Sequence, residues 1–178
     1  TIGLGVMYGM GYNKLARELD LEPQEAKEML KDFRGKVPFM QGMLEAVMNR
    51  ANSKGIIRTL LGRKCRFDLW EPTSWGVHKP LPLNQAKVEY GDAIKRYGTY
   101  KALNRLIQGS AADQTKLAVV ECYKEGYLPK LQIHDELCFD VQSKEDEDKI
   151  TEVMENCMQL KVPSVVDKAI GDNWGETS

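Results

Sequence analysis

The sequence predicts an α+β fold, a helical part followed by a part built on a small antiparallel sheet. Three observations carry this expectation. Apolar residues recur at helical spacing through the first third of the chain. Alternating apolar residues flank an acidic turn near residue 135, as in a hairpin. At 178 residues, 42% hydrophobic and 29% charged, the chain is long and apolar enough to fold around its own core. It contains no internal repeat and no low-complexity segment.

The elements follow in order. Residues 1–11 are glycine-rich, and Ile2, Val6 and Tyr8 through Leu19 fit a helix that each glycine weakens by about 1 kcal/mol relative to alanine. Pro23 opens a second helix at its favoured first-turn position, with Ala26, Met29, Leu30 and Phe33 as its apolar stripe and Gly35 and Pro38 as its breakers. A third helix carries Met40, Met43, Leu44, Val47, Met48 and Ala51, and Gly55 ends it. Methionines at this spacing are core filler rather than a cofactor box.

Residues 56–61 and 65–69 read as a hairpin around Gly62-Arg63. Pro72, Gly76, Pro80 and Pro82 make residues 70–85 a loop, which carries Trp70, Trp75 and His78. A long helical region is expected over about 86–125, interrupted near Gly98 and ended by Gly126. Leu131-Gln132-Ile133-His134 alternates as a strand, and Leu137, Phe139 and Val141 as its partner, which leaves Asp135-Glu136 at the tight turn. Ser143 is the expected N-cap of a helix with Ile150, Val153, Met154, Cys157 and Met158 on one face, stopped by Pro163. Val165, Val166 and Ala169-Ile170 predict a last strand.

Composition excludes some classes. No apolar run approaches the ~18–20 residues of a membrane span. No basic-then-apolar leader opens the chain, so no secretory signal is expected, and the expected location is cytoplasmic. Cys65, Cys122, Cys138 and Cys157 form no CxxC pair, which argues against a zinc knuckle and for reduced thiols. The net charge of −1 conceals a division: residues 1–108 balance to +7 and residues 109–178 to −8. Arg50, Lys54, Arg58, Arg63, Lys64 and Arg66 follow one another without an intervening acid. Such a stretch can track a phosphate backbone, or simply be a solvated basic face.

Three places could hold chemistry. The glycine-rich opening is not a dinucleotide fingerprint, because Gly9 comes one residue late, no strand precedes it, and the Lys-[Ser/Thr] of a phosphate loop is missing. Asn104 and Gln108 are one helical turn apart, and paired amides suit reading the acceptors common to all base pairs in the minor groove. The small residues at 109–112 allow another segment to approach closely; a packed helix with two solvated amides is the plain alternative. His134-Asp135-Glu136 puts two carboxylates beside an imidazole. Asp is common in turns for backbone reasons alone, yet hard oxygens also suit Mg²⁺.

Together these segments resemble family A DNA polymerases, the bacterial DNA polymerase I class. Thr1-Ile2-Gly3-Leu4-Gly5-Val6-Met7-Tyr8-Gly9-Met10-Gly11 resembles the family's fingers-helix motif. Thr59-Leu60-Leu61-Gly62-Arg63-Lys64 resembles its Thr-Leu-x-Gly-Arg-Arg stretch, and Gln108-Gly109-Ser110-Ala111-Ala112-Asp113 its Gln-Gly-Thr-Ala-Ala-Asp segment. Gln132-Ile133-His134-Asp135-Glu136-Leu137 is similar to its palm motif, and Gly171-Asp172-Asn173-Trp174 to its Gly-x-Asn-Trp terminus. The segments fall in family order along the whole chain. Residues 101–109 are phage-like in wording.

The resemblance implies fingers over residues 1–85 and palm over 86–178. It implies Asp135 as a ligand of catalytic Mg²⁺, with Glu136 supporting it. Gln132 and His134 would touch the primer-terminal region, and Asn104 and Gln108 the minor groove of primer–template DNA. Leu4, Tyr8 and Gly9 would border the template base and incoming deoxynucleoside triphosphate, with Arg63 in the DNA-binding stretch. Two metal ions would serve attack of the primer 3′-hydroxyl on the α-phosphate. The family's second metal-binding Asp and its nucleotide-holding Lys would lie before Thr1, so the upstream portion of the same polymerase is an expected partner and the chain alone is expected to be inactive. Leu4 stands where many members have Phe or Tyr, Gly3 where Asn is common, and Tyr100-Lys101 where an Arg accompanies the Asn/Gln pair.

The boundary at Thr1 leaves two readings open, an intein junction with Thr1 as the splicing nucleophile or an arbitrary fragment end. A non-catalytic DNA-binding module using residues 50–66 is the alternative function. A metal-dependent phosphohydrolase around His134 and Asp135 is disfavoured by the shortage of ligands. A bacterial or phage-infected cell is the expected setting.

Overall fold

The computed structural model describes Gly5 and residues 10–177. Leu4, Tyr8 and Gly9 lie outside the described residues. The chain divides into two compact units, Thr1–Ser110 and Ala111–Ser178.

The first unit opens on helices. α1 (Tyr12–Leu19) ends at Asp20 in the left-handed conformation (φ 52°). α2 (Pro23–Lys36) starts with Pro23 and a capping box between Glu22 and Glu25, which satisfies two otherwise orphaned N–H groups. Leu15, Ala16, Ala26 and Leu30 form one apolar cluster, with Met10 and Leu19 packed against it. Of the predicted α2 stripe, Ala26 and Leu30 are buried but Met29 is exposed. Gly35 does not break α2; the helix ends at Lys36, ahead of Pro38, which begins α3 (Pro38–Lys54). Gly55 caps α3 at φ 67°, where a side chain would be strained.

β1 (Ile56–Arg58) pairs antiparallel with β2 (Lys64–Arg66), so the predicted hairpin exists with shorter strands. Ala51, Ile57, Phe67 and Ala102 form the second cluster, with Val47, Cys65 and Leu106 against it.

The expected loop at 70–85 is confined to residues 73–80, and its flanks belong to a three-stranded antiparallel sheet. β3 (Leu69–Pro72) lies centrally between β4 (Leu81–Pro82) and β5 (Ile94–Arg96). Pro72 and Pro82 sit at strand ends, where a missing N–H is tolerated. α4 (Leu83–Tyr90) follows β4. The long helical region expected from residue 86 is therefore interrupted by Gly91, β5 and Gly98, and resumes as a short 3₁₀ turn (Thr99–Lys101) leading into α5 (Ala102–Lys124).

The second unit contains the rest of α5, the hairpin β6 (Leu131–Ile133) and β7 (Glu136–Cys138), and α6 (Lys144–Asn156). Ser143 caps α6 as expected: its Oγ accepts from the Asp146 N–H at 3.1 Å. Ala118, Cys122, Ile150 and Met158 are buried. The predicted last strand at 165–170 does not form. The Val166 N–H donates to the Glu155 carboxylate at 3.0 Å instead of to a neighbouring strand. A 3₁₀ turn (Trp174–Glu176) closes the described chain. Among the described residues no helix is long and apolar enough to cross a membrane.

Candidate nucleic-acid interface

The first unit presents the basic run on a connected piece of structure. Arg50 and Lys54 lie on the last turns of α3, Arg58 on β1, Arg63 in the turn, and Lys64 and Arg66 on β2; all six are exposed. The turn between β1 and β2 is tightly closed. The Thr59 N–H donates to the Arg63 carbonyl at 3.0 Å, the Arg63 N–H to Thr59 Oγ1 at 3.0 Å, and the Gly62 N–H to the Thr59 carbonyl at 2.9 Å. Gly62 supplies the positive φ (83°) that the turn requires. Arg58 Nη1 braces it from outside, donating to the Gly62 carbonyl at 2.9 Å.

This turn docks on α5. The Leu60 N–H donates to Ser110 Oγ at 3.1 Å, and Arg63 Nη2 donates to the Gly109 carbonyl at 2.8 Å. A Cβ at Gly109 would stand 3.0 Å from Thr59 Cγ2 and 3.3 Å from Arg63 Nη2. The small residues at 109–110 thus admit a neighbouring segment, as the sequence implied, and that segment is the 59–63 turn. Its identity carried no sequence signal, since the two pieces are some fifty positions apart. Asn104, half-buried, and Gln108, exposed, lie one turn apart on α5 immediately before this contact.

The second unit carries the carboxylates. In the β6–β7 ladder Leu131 pairs with Cys138, Gln132 with Leu137 and Ile133 with Glu136. The turn is therefore His134-Asp135, and Glu136 opens β7 rather than standing in the turn. His134 takes φ 52°, the sign that two-residue hairpin turns favour at their first position. Gln132 Nε2 donates to the His134 carbonyl at 3.3 Å across the turn. Gln132, His134, Asp135 and Glu136 are all exposed. Among the described residues no three His, Cys, Asp or Glu side chains are gathered to hold a metal ion.

The model of DNA polymerase family A matches residues 1–176. The chain belongs to DNA polymerase family A. It is 36% identical over 91% of its length to a DNA-directed DNA polymerase of Pseudomonas phage M6, covering 21% of that protein. It is 34% identical over 99% of its length to DNA polymerase I of Synechocystis, covering 19% of that protein. The chain thus spans about a fifth of the length of these relatives. Among solved structures it resembles the POL domain of Pol1 from M. smegmatis, in complex with DNA primer-template and dNTP. That likeness has a TM-score of 0.76 at 28% identity and covers 99% of this chain and 30% of that one. The small antiparallel sheets and packed helices of the chain are those of a family A polymerase domain.

Proposed function

We propose that this chain is part of a template-directed DNA polymerase, contributing to its fingers through residues 1–85 and to its palm through 86–178. The observation that most supports the reading is the likeness, over nearly the whole chain, to a polymerase domain holding primer-template and dNTP. In the proposed reaction the primer 3′-oxygen attacks the α-phosphorus of a deoxynucleoside triphosphate. A new O–P bond forms as the bond to pyrophosphate breaks.

Each unit has its own part. The exposed basic residues Arg50, Lys54, Arg58, Lys64 and Arg66 take phosphates of the duplex, while Asn104 and Gln108 read its minor groove. Gln132 and His134 touch the primer terminus, and Leu4, Tyr8 and Gly9 border the nucleotide. Asp135 is an exposed hard-oxygen donor on a short turn, which suits Mg²⁺, with Glu136 beside it on β7. One turn cannot complete a two-ion site, so the second carboxylate comes from the upstream portion of the same polymerase. When bound, the two ions would activate the hydroxyl and stabilise the leaving pyrophosphate. The chain without that portion is expected not to extend primers. The reading places the work in the cytoplasm of a bacterium or of a phage-infected cell.

The exposure of all six basic residues also favours a second reading, a non-catalytic DNA-binding module. Asp135→Ala in the full-length polymerase separates the two. Loss of primer extension with primer–template affinity retained supports the enzyme; unchanged extension supports the module.

A further inference from the structure

The contact between the 59–63 turn and α5 gives Arg63 a role other than holding phosphate. We infer that Arg63 is a positioning residue: its clamp on the Gly109 carbonyl sets how the adjacent Gln108 amide is presented to the minor groove of a primer–template duplex. The role rests on the polymerase reading, because it needs a duplex for Gln108 to read.

Four features carry it. First, Arg63 Nη2 reaches the Gly109 carbonyl at 2.8 Å, so part of the guanidinium is committed to protein rather than to solvent. That carbonyl lies inside a helix and accepts through the second lone pair that every carbonyl oxygen has. Second, the clamp is doubled one residue on. The Leu60 N–H donates to Ser110 Oγ, which in turn donates to the Leu106 carbonyl at 2.8 Å. Successive residues of α5 are thus held by the two ends of one turn. Third, the turn is itself rigid, closed by the Thr59–Arg63 hydrogen bonds around a buried Thr59. Fourth, a Cβ at residue 109 would crowd both Thr59 and Arg63, so the docked turn would have to give by a few tenths of an ångström.

A rigid turn fastened at 109 and 110 fixes the rotation and height of the helix surface at 108. A long amide at the surface loses reading precision when its helix can shift by a fraction of an ångström. The planar fork of arginine matters here, since it holds a fixed direction that a lysine ammonium does not. A phosphate contact would tolerate lysine, because the charge alone serves it.

The test uses the full-length polymerase that contains this chain. Wild type is compared with Arg63→Ala, Arg63→Lys, Gly109→Ala, Gln108→Ala and the Arg63→Ala/Gln108→Ala double variant. The readouts are the matched-over-mismatched primer extension ratio and the salt slope of duplex affinity. Arg63→Ala and Gly109→Ala are expected to shift the extension ratio in the same direction as Gln108→Ala, by about tenfold, the size of one lost base contact. The double variant should shift it no further than Gln108→Ala alone, and Arg63→Lys should not restore it. The inference is overturned if Arg63→Ala weakens matched and mismatched duplexes equally, lowers the salt slope by about 0.9 and is rescued by lysine, as a phosphate contact would be. It is also overturned, with the polymerase reading intact, if Gln108→Ala shifts the ratio and neither Arg63→Ala nor Gly109→Ala does. A wild-type protein that extends no primer would instead sink the polymerase reading. Should Arg63→Ala melt below the assay temperature, Gly109→Ala and Arg63→Lys carry the comparison with every charge retained.

Discussion

Arg96 lies over the ring of Trp70, its guanidinium carbon 4.6 Å from the ring centroid, and the two residues are direct partners in the β3–β5 register. The same guanidinium donates through Nη1 to the Phe67 carbonyl at 2.8 Å and through Nε to the Asn52 carbonyl at 3.1 Å. One side chain therefore ties the three-stranded sheet to the end of α3 and to the segment leaving β2.

Removing that tie has a definite expected cost. Arg96→Ala loses two charge-assisted hydrogen bonds and a cation–π contact, together about 2–4 kcal/mol. Arg96→Lys cannot reproduce the divergent donors and should recover only a minor part. Gly55→Ala should be destabilising for a related reason. Its φ is 67°, and a Cβ would stand 2.6 Å from the Arg96 guanidinium carbon. Urea unfolding of the full chain measures all three, and a change within about 0.5 kcal/mol for Arg96→Ala would contradict the tie.

The thiols offer a second check. Cys122 is fully buried, and burial, with smaller contributions from Cys157 and Glu121, pushes its thiol up to about 11. The thiolate is the species that reacts, so at pH 8 Cys122 should resist iodoacetamide in the folded protein and be alkylated only after unfolding. Cys65 and Cys138 are half-buried and should be labelled first. Peptide mapping of the native reaction reads the order, and early labelling at Cys122 would show that the α5 face opens readily.

What could be read from the sequence depended on how local the determining physics is. Periodicity, a first-turn proline and a helix-ending glycine placed α2 and α3, because those signals act within one or two turns. Ser143 was equally legible as a cap. β3, β4 and β5 were not, since strands of two to four residues containing Pro72 and Pro82 show no alternation and exist only through one another. The 165–170 segment shows the converse, β-branched residues with no partner strand. The hairpin was found, but its turn fell at His134-Asp135 because the Ile133–Glu136 pair closes the ladder. For the candidate site, the sequence marked Asn104, Gln108, Asp135 and Glu136 as chemistry-bearing. It could not show the Arg63–Gly109 clamp, whose partners meet only in three dimensions.

Acid should loosen the second unit in a way one residue controls. Glu147 is contacted by Lys144 at 2.7 Å and Lys168 at 2.6 Å, and Asp148 by the same two lysines at 3.0 and 3.3 Å. Hydrogen bonds from Lys144, then from Lys168, hold the Glu147 carboxyl below its ordinary 4.5; the bond from Lys144 is also the main cause that holds Asp148 below 3.8. A carboxyl depressed in the folded state stabilises it above the unfolded value and ceases to as pH falls through the folded one. The melting temperature should therefore fall as pH drops below about 4.5, and Glu147→Gln should flatten that fall. Added salt should shrink the difference, because Lys144 and Asp148 are exposed. An identical acid limb in the variant would exclude Glu147 as its source.

The amide pair on α5 gives the most direct test of contact with DNA. Asn104 and Gln108 share one helix face, and neither carries charge. If they read the minor groove, Asn104→Ala and Gln108→Ala in the full-length polymerase should each lower the efficiency of matched-primer extension by about tenfold, one hydrogen-bonded base contact apiece. Because no phosphate contact is lost, the salt dependence of duplex affinity should keep its wild-type slope. Lys64→Ala or Arg66→Ala, from the exposed basic run, should do the opposite, weakening all duplexes alike and reducing the slope by about 0.9 for each contact removed. The two classes of variant thus separate along two measured axes. Amide variants that alter the salt slope, or basic variants that alter extension without it, would mean that the roles of the two sets have been exchanged.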